Sequence, residues 1–350
     1  MARDRILIYG ANGYTGVLIA RRAKERGLRP VLAGRSPEVE SLASELGFES
    51  RRAGLGDAAA LDRAMADTAV VLHCAGPFSR TSTPMADACL RTGTHYVDIT
   101  GEVTVFEALA ARDAEAKERG VMLLPGAGMD VVPTDCLAAH LKRRLPAART
   151  LRLAFASTGG ISRGTATTMI ENFPKGGLVR RAGRLERVPS AWKTRLVDYG
   201  RGPKLSVTIP WGDVATAWYS TGIPDVEVYT PTSRTLVVAM RLLRPLRGLL
   251  ATGPVQSFLK GRIRARGAGP SDAARARGRA FFWGQVTDAE GAQTQARQQT
   301  PEGYTLTALT TLGVAERVLA GQAPAGFQTP AKAYGADFIL EFEGCTREDL

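Results

Sequence analysis

Two clusters in this chain combine residue types and spacing that could do chemistry. The first is Gly10-Ala-Asn12-Gly13-Tyr14-Thr15-Gly16, completed further on by Gly34-Arg35-Ser36. Glycines at 10, 13 and 16 let the backbone turn sharply and approach a diphosphate, and the last lets a following helix pack closely. The anion then rests on the unpaired N–H groups and the positive dipole end of that helix. A ribose diol calls for Asp or Glu at the end of the next strand, yet no carboxylate appears there before Glu38. Arginine cannot accept a hydrogen bond from a hydroxyl, but its planar fork matches a phosphate. The pattern therefore points to NADP(H) held by Gly10, Asn12, Gly13, Tyr14, Thr15, Gly16, Gly34, Arg35 and Ser36. The second cluster is Tyr96 with Asp98, which alternation puts on one face of a strand. Two readings stay open for this pair. One of them orders a nicotinamide ribose or relays a proton, or Asp98 caps the next turn while Tyr96 packs beneath a helix.

These residues must be positioned by elements, and the elements can be read. Arg5–Tyr9 is an apolar run typical of a buried parallel strand, Val17–Arg26 is helical in character, and Pro30–Ala33 is a second strand. Strands ending at Ala53, spanning Ala69–Cys74, His95–Asp98 and Val121–Leu124 alternate with helical stretches after Asp57, at Thr83–Thr92 and at Val105–Arg119. This alternation predicts an α/β fold, a Rossmann-type doubly wound parallel sheet whose ligands lie at the carboxyl ends of the strands. The loop Ala75-Gly76-Pro77-Phe78 falls at one such end and is expected to run its backbone along the cofactor, with Phe78 near the nicotinamide. Asp57 either bonds the adenine amine or caps its own helix. His95 reads as a core histidine, and Asp130 and Asp135 as turn and cap residues.

Beyond about residue 150 the texture changes. Leu151–Ser157, Ala280–Asp288, Gln293–Gln298 and Tyr304–Thr310 read as strands of a second α+β domain with a mixed sheet, and Leu312–Ala320 as a helix. The expected division is 1–130 for the NADP-binding domain, 131–328 for a substrate domain, and 329–350 as a segment returning to the first domain. Gly261–Arg279, rich in Arg, Gly and Ala, is expected to be a mobile loop.

Composition narrows the function classes. The four cysteines are dispersed and the three histidines scattered, so neither a disulfide framework nor a metal centre is expected. The first apolar run starts at residue 5, which leaves no room for a signal peptide, and no apolar stretch is long enough to span a bilayer. A cytoplasmic protein is expected, with contact at a membrane periphery left open. The formal net charge is +12, of which +10 lies between Arg234 and Phe282: ten Arg and one Lys against one Asp. Interleaved aromatics and a helix-turn-helix or zinc signature are missing from this segment, so nucleic-acid binding is not expected. Leu236–Ala251 places Arg241, Arg244 and Arg247 at helical spacing amid leucines. Either a membrane surface or acyl carrier meets this stretch through 236–266, or it is a domain helix with a basic rim. A homodimer also stays open.

Taken together, Gly10–Gly16, Ala33-Gly-Arg35, Ala75–Phe78 and Gly93-Thr-His-Tyr-Val-Asp-Ile-Thr-Gly-Glu102 resemble the saccharopine dehydrogenase-like family, above all its trans-acting enoyl reductase and saccharopine-dehydrogenase-like oxidoreductase branches. Gly126–Asp135 and Gly159–Thr165 are similar to the family's later motifs. The resemblance implies an NADPH-dependent oxidoreductase that transfers hydride to a C=C (enoyl) or C=N bond of a small or carrier-bound acyl substrate. Ser82, Met129 and Val131 depart from the family pattern. A short-chain dehydrogenase would need Tyr-x-x-x-Lys, which none of the eight tyrosines begins. A non-catalytic NADP-binding redox sensor and a lipid-surface protein remain as alternatives.

Overall fold

The computed structural model describes residues 3–160, 162–250, 252–264 and 269–350. Its strands are β1 (Arg5–Tyr9), β2 (Val31–Gly34), β3 (Ser50–Arg52), β4 (Thr68–His73), β5 (His95–Asp98), β6 (Met122–Leu124), β7 (Thr150–Ser157), β8 (Gly177–Arg181), β9 (Arg184–Val188), β10 (Thr194–Asp198), β11 (Pro203–Thr208), β12 (Asp225–Pro231), β13 (Arg279–Thr287), β14 (Gln293–Pro301), β15 (Gly326–Phe327) and β16 (Thr346–Asp349). The helices are α1 (Tyr14–Glu25), α2 (Glu38–Leu46), α3 (Ala58–Ala64), α4 (Phe78–Thr92), α5 (Val103–Ala110), α6 (Asp113–Glu118), α7 (Val132–Arg144), α8 (Arg163–Asn172), α9 (Asp213–Thr221), α10 (Arg234–Leu242), α11 (Arg247–Leu250), α12 (Gly253–Arg264), α13 (Asp272–Arg277), α14 (Gly303–Leu319) and α15 (Pro330–Tyr334).

Two compact units share these elements. The first, residues 1–132 with 304–338, holds a seven-stranded parallel sheet in the order β15-β6-β5-β4-β1-β2-β3. Its strands are apolar nearly throughout because helices cover both faces: Leu7, Ile8, Leu32, Val70, Val71, Leu72, Val97 and Leu123 are fully buried. Strand order reverses between β1 and β4, which opens a crevice at their carboxyl ends. The sequence-based expectation of a Rossmann-type sheet and its β1–β6 alternation holds.

The second unit, residues 133–303 with 339–350, contains a nine-stranded mixed sheet. Strand β12 runs parallel to β7, while β13 and β14 are antiparallel neighbours. One face buries Ala154, Val197, Tyr199, Tyr229, Phe281 and Trp283 together. The opposite face meets α7 so closely that a Cβ on Gly284 would lie 2.6 Å from Leu141 Cδ1.

The chain's C-terminal third differs from the sequence expectation in three places. Tyr304–Thr310, expected as a strand, is instead part of the first half of α14. The threonines are accommodated in the helix because their hydroxyls find partners in the loop after β6, as Thr310 Oγ1 does in donating to Ala127 O at 2.7 Å. The boundaries shift as well. Residues 304–338 belong to the first unit, since β15 extends its sheet beside β6 and Arg26 pairs with Glu316 at 2.9 Å. Residues 339–350, expected to return to the first domain, belong to the second unit, where β16 pairs with β14 and Asp349 accepts from His140 at 2.7 Å and Arg144 at 2.9 Å. Within the expected loop 261–279, residues 272–277 form α13, capped by Ser271, and residues 265–268 lie outside the described residues. Ile161 of the 159–165 motif and Ala251 also lie outside them.

Candidate dinucleotide-binding site

The site is built at the carboxyl ends of β1, β2, β4, β5 and β6 in the first unit. The chain leaves β1 through Gly10, whose φ of 78° only glycine adopts freely. Two close approaches exclude side chains here. A Cβ on Gly10 would stand 2.8 Å from the Ala75 Cβ and backbone N, and one on Gly16 would stand 2.4 Å from Gly10 O. The turn is thus compressed against the β4 loop on one side and its own helix on the other. Gly13 precedes α1 in extended conformation, and the first turn of α1 carries no acidic residue, so the positive end of the helix is not neutralised. Asn12 Nδ2 donates to Ser36 Oγ at 3.1 Å, which ties the glycine turn to the end of β2.

Arg35 follows β2 directly and is exposed, with its positive charge near the Tyr9 hydroxyl. The parallel register sets Arg52 of β3 beside Gly34. Its neighbour Arg51 is held by Glu49 and Asp67. Arg52 has a side chain 56% exposed and a longer 3.6 Å contact to Glu40. Sequence reasoning named Arg35 and missed Arg52; two adjacent arginines look alike until the register and the Asp67 pair separate them. The two exposed guanidiniums could hold a ribose phosphate from two sides. Asp57 is exposed and its Oδ1 accepts from Ala60 N at 2.9 Å, so it caps α3, the second of the two readings left open for it.

The loops on the other side of the crevice are braced by buried polar groups. Tyr96 and Asp98 do come together, as alternation requires: the Tyr96 hydroxyl donates to Asp98 Oδ2 at 2.6 Å. Both side chains are fully buried. Asp98 Oδ1 also accepts from Thr100 N at 2.9 Å and Gly126 N at 2.8 Å, so one carboxylate joins the loops after β5 and β6. Burial pushes the Tyr96 hydroxyl well above its ordinary value and the Asp98 carboxyl up to about 6.

Glu102 is a second brace. Its carboxylate accepts from Phe78 N at 2.8 Å and Ser79 N at 3.2 Å, capping α4 from the neighbouring loop. Phe78 lies edge-on to His73, with ring centroids 5.5 Å apart. His73 is fully buried and pushed down to about 3, hence neutral near pH 7. Its Nε2 meets Thr81 Oγ1 at 3.0 Å, and Thr81 Oγ1 donates to Ala75 O at 2.6 Å, which fixes the Ala75-Gly76-Pro77-Phe78 loop from beneath. His95 Nδ1 accepts from Met122 N at 3.0 Å, in keeping with a core role.

Helix α14 supplies what the sequence concealed. Thr307 Oγ1 accepts from Met129 N at 3.0 Å and Thr310 Oγ1 donates to Ala127 O at 2.7 Å, so two helix threonines clamp the loop after β6. At the start of the same helix, Tyr304 meets Tyr14 edge-on with centroids 5.0 Å apart. Asp130, half-buried, packs its carboxylate on Gly101, where an added Cβ would lie 3.1 Å from Oδ2. Burial pushes this carboxyl also up to about 6. A folded value above the ordinary 3.8 means that its stabilising contribution is complete below about pH 4 and is lost as pH rises through 6. Asp130→Asn removes that titration. The stability of the unsubstituted protein relative to the variant is therefore expected to fall between those two pH values, as urea titrations at each pH would measure.

A glycine cradle before an uncapped helix, at the point where strand order reverses, defines a dinucleotide-binding domain of the Rossmann class. Residues 6–124 match the family model described as "Saccharopine dehydrogenase NADP binding domain". Among curated proteins the chain is 30% identical over 148 residues to the "Trans-acting enoyl reductase" of Mycobacterium ulcerans, covering 40% of this chain and 35% of that protein. It is 29% identical over 161 residues to the "Saccharopine dehydrogenase-like oxidoreductase" of Mus musculus, covering 40% of this chain and 38% of that protein. The matched stretch thus spans little more than a third of the length of either relative. In fold, the chain is similar to apo saccharopine dehydrogenase (L-Glu forming) from Saccharomyces cerevisiae, at 13% identity, with a TM-score of 0.68 over 99% of this chain and 100% of that one. The NADP expected from Arg35 agrees with the description of the model that residues 6–124 match.

Proposed function

We propose that this chain is an NADPH-dependent oxidoreductase that delivers hydride to a C=C or C=N bond of a small or acyl-type substrate. One observation carries the reading. At the switch point of the parallel sheet, the strand ends hold a cradle that admits no Cβ at Gly10 or Gly16 and two exposed arginines, Arg35 and Arg52, at the ends of β2 and β3. The names of the two relatives, an enoyl reductase and an oxidoreductase, support reduction of an unsaturated bond.

When bound, the nicotinamide supplies the hydride. The residues of this chain bind, orient and hold. The glycine turn and the end of α1 take the diphosphate, with Asn12 and Ser36 keeping that turn against β2. Arg35 and Arg52 take the ribose phosphate. The Ala75–Phe78 loop, fixed by Thr81 and Glu102, forms the wall along the cofactor. The full burial of Tyr96 and Asp98 supports a positioning role for both. Asp130, in the loop after β6, is a carboxyl able to hold a proton at pH values up to about 6.

A second reading, an NADP-binding redox sensor, draws on the full burial of Tyr96 and Asp98, the two residues expected to do acid–base work. Oxidation of NADPH followed at its absorbance band, with a panel of enoyl thioesters and cyclic imines, separates the two. Turnover with one class is expected. Tight NADPH binding with no turnover across the panel would favour the sensor, and no NADPH binding would remove both.

A further inference from the structure

Helix α10 and the segment that follows it are assembled inside out for a water-facing layer. Ser233 caps α10, accepting from Leu236 N at 3.1 Å. The inward side packs Val237 and Met240 on Ala191, Val207 and Ile209 of the second unit. The guanidiniums that helical spacing offers as a polar outer face turn toward the protein instead. Arg241 Nε donates to Ala191 O at 3.2 Å, and Arg244 donates to Ser190 O through Nε at 2.9 Å. The exposed side carries the leucines. Leu236, Val238, Leu242, Leu243, Leu249 and Phe258 are each 39–73% exposed, and they are six of the eleven large apolar side chains found exposed among the described residues. More than half of the exposed apolar side chains therefore sit in one short stretch of chain, a concentration that marks an interaction surface. Helix α12, which carries Phe258, packs on α8, whose Met169 is also exposed.

We propose that this layer, the exposed apolar side chains from Leu236 to Leu249 together with Phe258, lies on an anionic lipid surface. The charge around it decides the occupant. By sequence, residues 234–282 hold ten Arg and one Lys, Arg241 and Arg244 among them facing the protein, and their single acid, Asp272, is paired with Arg275 at 2.7 Å. A second copy of the chain would bring the same excess of positive charge in this stretch against this one. An anionic bilayer meets the same charge with attraction, and its acyl boundary accepts the leucines and Phe258. No helix among the described residues is long and apolar enough to cross a membrane, so the layer lies in the interface rather than spanning it. Arg241 and Arg244 keep the helix attached to the protein while its apolar side partitions. Neither belongs to the first unit, so this surface stands independently of the cofactor reading.

The test uses the full chain and sedimentation with two vesicle types, phosphatidylcholine alone and equal parts phosphatidylcholine and phosphatidylglycerol. Binding to the mixed vesicles is expected to be about tenfold or more tighter than to the neutral ones, and to weaken as salt rises. The double substitution Leu242→Asp with Phe258→Asp is expected to reduce it about tenfold or more. Both positions are exposed, so the fold and NADPH binding should be unchanged, and an unaltered melting curve confirms that. Weak binding to both vesicle types overturns the proposal, as does binding that the double substitution leaves intact. A dimer in sedimentation velocity that Leu242→Asp dissociates, with no vesicle binding by the unsubstituted chain, gives the surface to a second copy and overturns it as well.

Discussion

Replacing Arg35 by alanine is expected to weaken NADPH binding about ten- to a hundredfold while changing NADH binding by no more than about twofold. The two cofactors differ by a phosphate on the adenosine ribose, and a charge-assisted hydrogen bond to a charged group is worth about 1.5–3 kcal/mol. Arg35 follows β2 and is exposed, so its fork is available to that phosphate. Arg35→Lys keeps the charge and loses the planar fork, and should fall between the two. Arg52→Ala should cost less, about three- to tenfold, because Arg52 already shares a 3.6 Å contact with Glu40 that a phosphate must compete with. Isothermal titration with each dinucleotide reads all of these directly. A doubly substituted protein, Arg35→Ala with Arg52→Ala, that still prefers NADPH would place the phosphate elsewhere. Loss of both cofactors together would indicate damage to the glycine cradle instead.

Asp98→Ala should be among the most damaging single changes in the first unit, lowering stability by about 3–5 kcal/mol. Three donors lose their acceptor at once: the Tyr96 hydroxyl and the backbone N–H groups of Thr100 and Gly126, at 2.6, 2.9 and 2.8 Å. An opposing effect also acts, since burial has pushed the Asp98 carboxyl up to about 6, and removing a buried charge relieves some cost. The orphaned donors win, because each unsatisfied buried group costs about 1–3 kcal/mol and there are three of them. Asp98→Asn separates the two effects: it removes the charge and keeps the acceptor oxygen toward Thr100 and Gly126, so it should lie within about 1–2 kcal/mol of the unsubstituted protein. Tyr96→Phe removes one donor and should cost about 1 kcal/mol. Thermal unfolding shows the order, with Asp98→Ala melting about 10 °C lower. An Asp98→Ala protein that melts like the Asp98→Asn protein would mean that the carboxylate does not brace the two loops.

The order of those three variants also restates what Tyr96 and Asp98 are. Alternation along β5 placed them on one face, and the residue types suggested an acid and a hydrogen-bonding partner. Their distance from any external ligand depends on the helices and loops laid over them, which no local pattern records. Glu102 is a similar case: its position near the end of β5 was legible, but its partner, the N-terminus of α4, lies twenty-four residues earlier in the chain. His73 and Thr81 carry no motif at all, and they surface only once the loop they hold has been folded over them.

The sequence by itself determined the parallel sheet, the glycine turn, the arginine after β2 and the basic segment, because each is written in neighbouring residues: runs of apolar side chains, glycine spacing, local charge. Tertiary structure alone decided that Tyr304–Thr310 is a helix clamping the loop after β6, that Arg52 and not Arg51 stands open beside Gly34, and that Arg241 and Arg244 face inward while leucines face out. The physical reason is the same in all three. A threonine-rich stretch, an arginine pair or an amphipathic helix has two local solutions of similar energy, and the choice falls to the partners that long-range packing brings against it.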